Sequence, residues 1–483
     1  MVTVKNNYNS NRVNIIQLKL IALKTSSFMN IFSVNPTNGK NIKKYKAHSD
    51  KQIEKKVTET HNAWLQWRQT DSNKRSQLLN NMANVLQQQK AELAHLMALE
   101  MGKPLAQGIT EIEKCASVCN YYADNAANYL KDQLIVTEAS KSYVTFQPIG
   151  VVLAIMPWNF PFWQVFRFLA PALAAGNCGV LKHASNVPGC ALAIEQIVKE
   201  AGFPDKVFQT LLASGSQVEK IIEHKNIMAV TLTGSTGAGQ RVAEKAGSLI
   251  KKTVLELGGS DAYIILKDAD LEKAAETCVN SRLINSGQSC IAAKRFIVVK
   301  SVGKEFTRLF LQKMAAKKIG DPLEKDTDIG PQARVDLRNE LHEQVKASIS
   351  KGAKCILGGE IPGGNNAFYP PTILTNVKPG MPAHDEELFG PVAAIISAKD
   401  EDDAIKIANN SVFGLGGAVF TKDKKRGEMI ASDKLEAGSC FVNSMVKSDP
   451  RLPFGGIKQS GYGRELGLFG IHEFVNIKTV YVA

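Results

Sequence analysis

The chain has 483 residues, 44% of them hydrophobic and 22% charged, which is too long for one simple core and implies two or three packed domains. No apolar run reaches the ~18 residues a bilayer span needs, and the net charge of +13 comes without a basic run interleaved with aromatics. Neither a membrane nor a nucleic acid is therefore indicated as partner; attraction of anionic small molecules is the more economical reading. The eight cysteines are scattered without a CxxC pair, which points to a reducing compartment, the cytoplasm.

Residues 1–28 carry Lys5, Arg12, Lys19 and Lys24 and no acid. They read either as a targeting segment or as a disordered or non-native extension, with Met29 a plausible start; the second reading is preferred. Beyond residue 50 the pattern is helical, with Leu78, Leu79, Met82, Val85, Leu86, Leu93, Leu96 and Met97 at three- and four-residue spacings, ended by Gly102 and Pro104. Residues 111–130 form a second predicted helix, where Cys115 and Cys119 read as small residues packed on one face rather than as a redox pair. Residues 134–150 are β-rich around a polar turn, a candidate hairpin reaching out from the body. From residue 151, short apolar runs (151–157, 179–185, 228–234, 253–259) alternate with helical segments, the pattern of a parallel sheet covered on both faces.

Several stretches carry chemistry, each with a plainer alternative. "TLTGSTGAGQ" (231–240) follows a strand and opens a helix, so it is either a phosphate-binding turn or only a tight connection. In "PWNFPFWQVFR" (157–167), Asn159 is either an oxyanion donor or a turn residue. Arg167 is either an exposed helix residue or a bidentate partner for a carboxylate. Glu256 in "LELGGSD" is either a base with a raised pKa or a solvated strand end. Cys290 in "NSGQSC" is either a packed core thiol or a nucleophile, with no histidine nearby to serve as base.

Taken together and in this order, "PWNFP", "TGS", "ELGG", "GQSC", "EELFGP" and "PFGGIKQSGYGRE" resemble the aldehyde dehydrogenase superfamily from about Val34 onward. The resemblance implies an α/β fold in three parts. A Rossmann-type cofactor domain would cover about 30–125 and 148–255, and an α/β catalytic domain 256–445. Residues 126–147 and 471–483 would form a β oligomerisation arm, giving a homodimer or homotetramer. It further implies Cys290 as the nucleophile, Asn159 with the Cys290 backbone N–H as the oxyanion hole, and Glu256 as the base. Trp158, Lys182, Ser185, Gly234, Ser235, Glu387 and Phe389 fall at cofactor-binding positions. Ser185 stands where NAD-preferring members carry a glutamate, so NADP is expected, with NAD possible. No metal is implied. "WNFPFWQVFR", "LKHASN", "GQSCIAAKRF" and "SDPRLPFGGIKQSGYGRELG" are most similar to the bacterial-type succinate-semialdehyde dehydrogenases of that superfamily. The implied substrate is a small aldehyde with a terminal carboxylate, met by Trp163, Arg167, Arg282 and Ser448. The alternative is another semialdehyde or a general aliphatic or aromatic aldehyde. Residue 292 is Ala, so the second cysteine that some relatives place there is missing.

Overall fold

The computed structural model describes residues 30–364 and 366–483; the expectation for residues 1–28 lies outside the described residues. Among the described residues no helix is long and apolar enough to cross a membrane.

The first predicted helix runs over Ser72–Met101. It starts where the Asp71 side chain accepts the Asn73 N–H, and stops at Gly102, whose φ of 77° is left-handed. Its buried face includes Leu78, Leu79, Met82, Leu86, Leu93 and Met97, as the spacing predicts. The second helix, Leu105–Tyr129, packs along it and extends a few residues into the segment assigned to the arm. Cys115 and Cys119 lie fully buried between the two helices, and burial pushes both thiols up, which makes them inert packing groups.

Six strands form the sheet that positions the cofactor. Their order is Gly461–Tyr462, Lys252–Glu256, Ile227–Thr233, Val151–Met156, Cys178–His183, Phe208–Thr210, all parallel except the first. Four of the five parallel strands coincide with the four predicted runs. In sequence order those five strands sit 5-4-1-2-3, a doubly wound arrangement. The direction in which successive strands are added reverses between Val151–Met156 and Ile227–Thr233. Ligands bind outside the carboxyl ends of strands at such a switch point. Trp158 and Asn159 follow one of these two strands and Gly234 and Ser235 the other.

A second sheet of seven strands carries Arg295–Val299, just beyond Cys290, at its centre. Only its Lys354–Leu357 edge runs antiparallel to its neighbour. The predicted hairpin is only a stub, because Gln133–Leu134 offers two residues to the strand Lys141–Pro148. The main partner of Lys141–Pro148 is the C-terminal strand Val475–Val482, paired along its whole length from Val475 opposite Pro148 to Val482 opposite Lys141. This three-stranded sheet exposes Leu134, Ile477 and Tyr481, and the connection after Leu134 exposes Val136.

Candidate active site

The segment 285–290 ends a helix, Leu271–Leu283, and turns sharply before Cys290. Asn285 and Ser286 take φ of 53° and 56°, and Gly287 follows at 78°. Left-handed backbone costs a side-chain-bearing residue roughly 1–2 kcal/mol, so the turn needs external restraint. The Asn285 N–H donates to Gln107 Oε1 at 2.7 Å, and its Nδ2 donates to the Asn159 carbonyl at 2.6 Å and the Gln288 carbonyl at 3.0 Å. Ser286 Oγ accepts the Gly330 N–H at 2.9 Å, and Gln288 Oε1 accepts the Ala333 N–H at 2.8 Å. Three distant chain segments, at Gln107, Asn159 and 330–333, thus fix the backbone that presents Cys290.

Arg282 belongs to this restraint. It is fully buried, its Nη2 donates to the Gly287 carbonyl at 2.6 Å, and it is absent from the wall of the cavity onto which Cys290 opens. The structure therefore places the second arginine expected at the substrate tail under the nucleophile loop instead. Its position in the last turn of the helix, one residue before the end, aims it at the loop carbonyls.

That cavity has a volume of about 480 Å³. Cys290, Ser289 and Ile291 line it on one side, Phe160, Trp163, Gln164 and Arg167 on another, and Val446, Ser448 and Phe454 on a third. Trp163 and Arg167, four residues apart on one helix, are thus brought together with Cys290 and Ser448, each more than a hundred residues further along the chain. Arg167 is neither exposed nor unpaired. It is buried, its Nε forms an ion pair with Glu465, its Nη2 donates to Thr233 Oγ1 at 3.3 Å, and its guanidinium lies 4.8 Å from the Phe454 ring centre.

The helix that carries Trp163 and Arg167, Trp163–Ala174, has no cap from its own sequence. Glu111 supplies one: its Oε1 accepts the N–H groups of Phe162 and Trp163, each at 2.9 Å, while its Oε2 is ion-paired with the fully buried Lys103. Lys103 also sits 3.9 Å from the Phe160 ring centre. Removing one partner of a buried pair strands the other, so E111A is expected to lower unfolding free energy by about 3–5 kcal/mol, read by urea denaturation. A loss below about 1 kcal/mol would contradict this account of the helix start.

Cys290 opens onto the cavity, yet its apolar surroundings push the thiol up to about 12, with Lys294 and Arg167 pulling the other way. Lys294 is fully buried and donates to the Cys290 carbonyl at 2.6 Å and the Ser289 carbonyl at 2.8 Å. Asn159 is also buried. Its Nδ2 donates to the Gln288 carbonyl at 3.1 Å, two residues before the nucleophile, and its Oδ1 is without a hydrogen-bond partner. Glu256 ends its strand as predicted but is buried rather than solvated, and neither carboxyl oxygen has a hydrogen-bond partner. Burial raises its pKa well above the usual carboxylate range, and the Arg167 charge opposes the shift.

The cofactor positions gather at the switch point. Ser235 caps the helix Thr236–Gly247, and a side chain added at Gly237 in its first turn would meet nothing within 4 Å, so this positive helix end faces open space. Lys182 is half-buried with no ion pair among the described residues, and burial lowers its pKa, the state of a cation awaiting an anion. Ser185 is exposed beyond the end of the same strand. Trp158 and Phe389 meet edge to face at 5.7 Å, and Glu387 accepts the Gly259 N–H at 2.9 Å with Lys294 Nζ 3.4 Å away. An open helix end, an unpaired lysine and an exposed hydroxyl fit a phosphate-bearing dinucleotide. Among the described residues no cluster suited to a metal ion occurs.

Five polar participants escaped the sequence reading: Lys103, Glu111, Lys114, Lys294 and Glu465. Glu465 lies inside a quoted motif, but nothing local marks it as the partner of Arg167. Lys114 lies one turn beyond Glu111 on the cavity wall, and its Nζ donates to Ser448 Oγ at 2.7 Å across 334 residues.

The model of the aldehyde dehydrogenase family matches residues 23–480. A Synechocystis protein named probable succinate-semialdehyde dehydrogenase, NADP(+), is 49% identical over 455 residues, covering 94% of this chain and 100% of its own. The Escherichia coli succinate semialdehyde dehydrogenase, NAD(P)+, Sad, is 44% identical, covering 93% of this chain and 97% of its own. Among solved structures, the succinic semialdehyde dehydrogenase of Streptococcus pyogenes in complex with NADP+ superposes with a TM-score of 0.91 at 36% identity, covering 94% of this chain and 99% of that one. With the nucleophile loop, the switch-point crevice and the match along the chain all in agreement, this protein belongs to the aldehyde dehydrogenase family.

Proposed function

We propose that the protein oxidises succinic semialdehyde to succinate with NADP as the preferred cofactor. The observation that carries this reading is the cavity itself, which joins Cys290 to a cationic, hydroxyl-bearing wall on one continuous surface. The similarity to the enzymes named above supports it.

The roles follow from the residues. Cys290 attacks the aldehyde carbon and forms a thiohemiacetal, whose oxygen takes up negative charge. Asn159 Nδ2 and the Cys290 N–H, held by the restrained turn, donate to that oxygen. With NADP held by Lys182, the helix end at Ser235, Glu387, Trp158 and Phe389, its nicotinamide would supply the hydride acceptor, and loss of hydride from the carbon bonded to Cys290 would leave a thioester there. Glu256, poised as a base by its raised pKa, removes a proton from water, and the hydroxide attacks the thioester to release the acid and the thiol. Lys182 and the helix end at Ser235 hold phosphates, while Glu387, Trp158 and Phe389 border the nicotinamide ribose and ring. Trp163 and Ser448 contact the substrate tail. Arg167 supplies positive field at the cavity floor while remaining paired with Glu465.

The test is the initial rate of reduced-cofactor formation with succinic semialdehyde and with butyraldehyde, each with NADP and with NAD. The reading predicts much higher kcat/KM for succinic semialdehyde with NADP; equal values for the two aldehydes would overturn it. The Ser185 assignment is tested separately. S185E sets a carboxylate beside the 2′-phosphate, a repulsion of about 1–2 kcal/mol, so KM for NADP should rise about tenfold while that for NAD does not. An unchanged KM for NADP would remove Ser185 from the cofactor site.

The apolar residues exposed on the three-stranded sheet ask for a cover, and we infer a homodimer or homotetramer built through it. Light scattering of the purified protein tests this, and a monomer at micromolar concentration would contradict it. A reducing compartment, the cytoplasm, suits eight cysteines that are all free.

A further inference from the structure

Four cations line the cavity that holds Cys290: Lys114, Arg167, Lys317 and Lys447, the last exposed to solvent rather than turned to a buried wall. Two are already matched. Arg167 is ion-paired with Glu465, and Lys317 Nζ stands 3.3 Å from Asp328 Oδ1. Lys114 makes no ion pair among the described residues. Its ammonium is held 4.1 Å from the Trp163 ring centre and donates to Ser448 Oγ. The nearest acid on its own helix, Glu111, is occupied by Lys103 and by two backbone N–H groups. Burial first, and the Arg167 charge second, lower the pKa of Lys114 to about 8. A half-buried ammonium without an ion-pair partner is costly in the free protein, and an anion entering the cavity removes that cost.

We propose that Lys114 is the specificity-determining cation that receives the distal carboxylate of the aldehyde, with the Ser448 hydroxyl beside it and Trp163 as the apolar wall along the chain. Arg167, the residue the sequence points to, is a positioning residue that holds Glu465. This inference rests on the proposed reading that the substrate carries an acid tail. The chemistry is consistent at both ends. Trp163 keeps the ammonium extended over its ring face, and Ser448 holds it until a carboxylate accepts from both.

The experiment compares wild type, K114M and K114R, each checked for an unchanged thermal melt, with succinic semialdehyde and butyraldehyde under saturating NADP. The quantity read is the ratio of kcat/KM for the acid-tailed aldehyde to that for the neutral one. K114M should lower the ratio about 30-fold or more, mainly through KM for succinic semialdehyde, as loss of a charged hydrogen bond predicts. K114R should recover most of it. A high wild-type ratio that K114M keeps to within about twofold overturns the Lys114 assignment alone. A wild-type ratio near one overturns the acid-tail reading and this assignment with it.

Discussion

C290A should fold, bind NADP and lose aldehyde oxidation by about ten-thousandfold or more, because no other group can form the covalent intermediate. The remaining cysteines cannot substitute. Cys115, Cys119, Cys178, Cys190 and Cys278 are buried in the core, and Cys355 and Cys440 do not line the cavity. The control is fluorescence titration with NADP, which should be unchanged. A variant that turns over within tenfold of wild type would remove Cys290 from the chemistry. The thiol should also show its environment. Burial pushes it up to about 12, so the reactive thiolate is scarce at neutral pH and grows as pH rises toward that value. Alkylation of the free enzyme by iodoacetamide should therefore accelerate about tenfold per pH unit between pH 7 and 10. A plateau below pH 8 would mean that the free enzyme already carries an activated thiolate.

G287A should be nearly as damaging, although it touches no reacting atom. Gly287 has a φ of 78°, and a Cβ there would stand 2.3 Å from both the carbonyl carbon and the oxygen of Gly390. Backbone cannot retreat as a flexible side chain does, so either the loop or the Gly390–Pro391 segment must shift. Left-handed strain of roughly 1–2 kcal/mol adds to an overpacking cost of about 1–3 kcal/mol. The expected result is a loss of about 2–5 kcal/mol in stability. Activity should fall by more than a hundredfold, since the Cys290 N–H and the Asn159 amide are held by the same turn. A variant with wild-type melting temperature and rate would show that the turn does not need its present shape.

Particular residues mark what the sequence could disclose. The parallel sheet was legible because its strands are continuous apolar runs, and Val151–Met156 and Ile227–Thr233 fall within a residue or so of where those runs lie. Cys290, Asn159 and Glu256 were legible because each sits in a short motif with fixed neighbours. The arm was half legible. Lys141–Pro148 has β-branched residues, but its pairing with Val475–Val482 spans more than three hundred residues and leaves no local mark. Side-chain pairing was the least legible. Arg167 announced itself as a charge in an apolar run, yet nothing near it says that Glu465 neutralises it. Arg282 stood eight residues before the nucleophile, and only the φ values of Asn285 and Ser286 reveal that the intervening chain folds back over it. Lys114 lay on an ordinary amphipathic helix, and its importance emerges only when the 448 loop returns to cover it.

The most direct measurement is to trap the covalent intermediate. E256Q removes the proposed base and leaves the nucleophile, so deacylation should become limiting. After mixing with NADP and succinic semialdehyde, acid quenching and peptide mass spectrometry should find a succinyl group on the Cys290 peptide of E256Q, accompanied by about one reduced cofactor per enzyme. Reduced cofactor forming steadily with Cys290 unmodified, or an acyl group on another residue, would contradict the account.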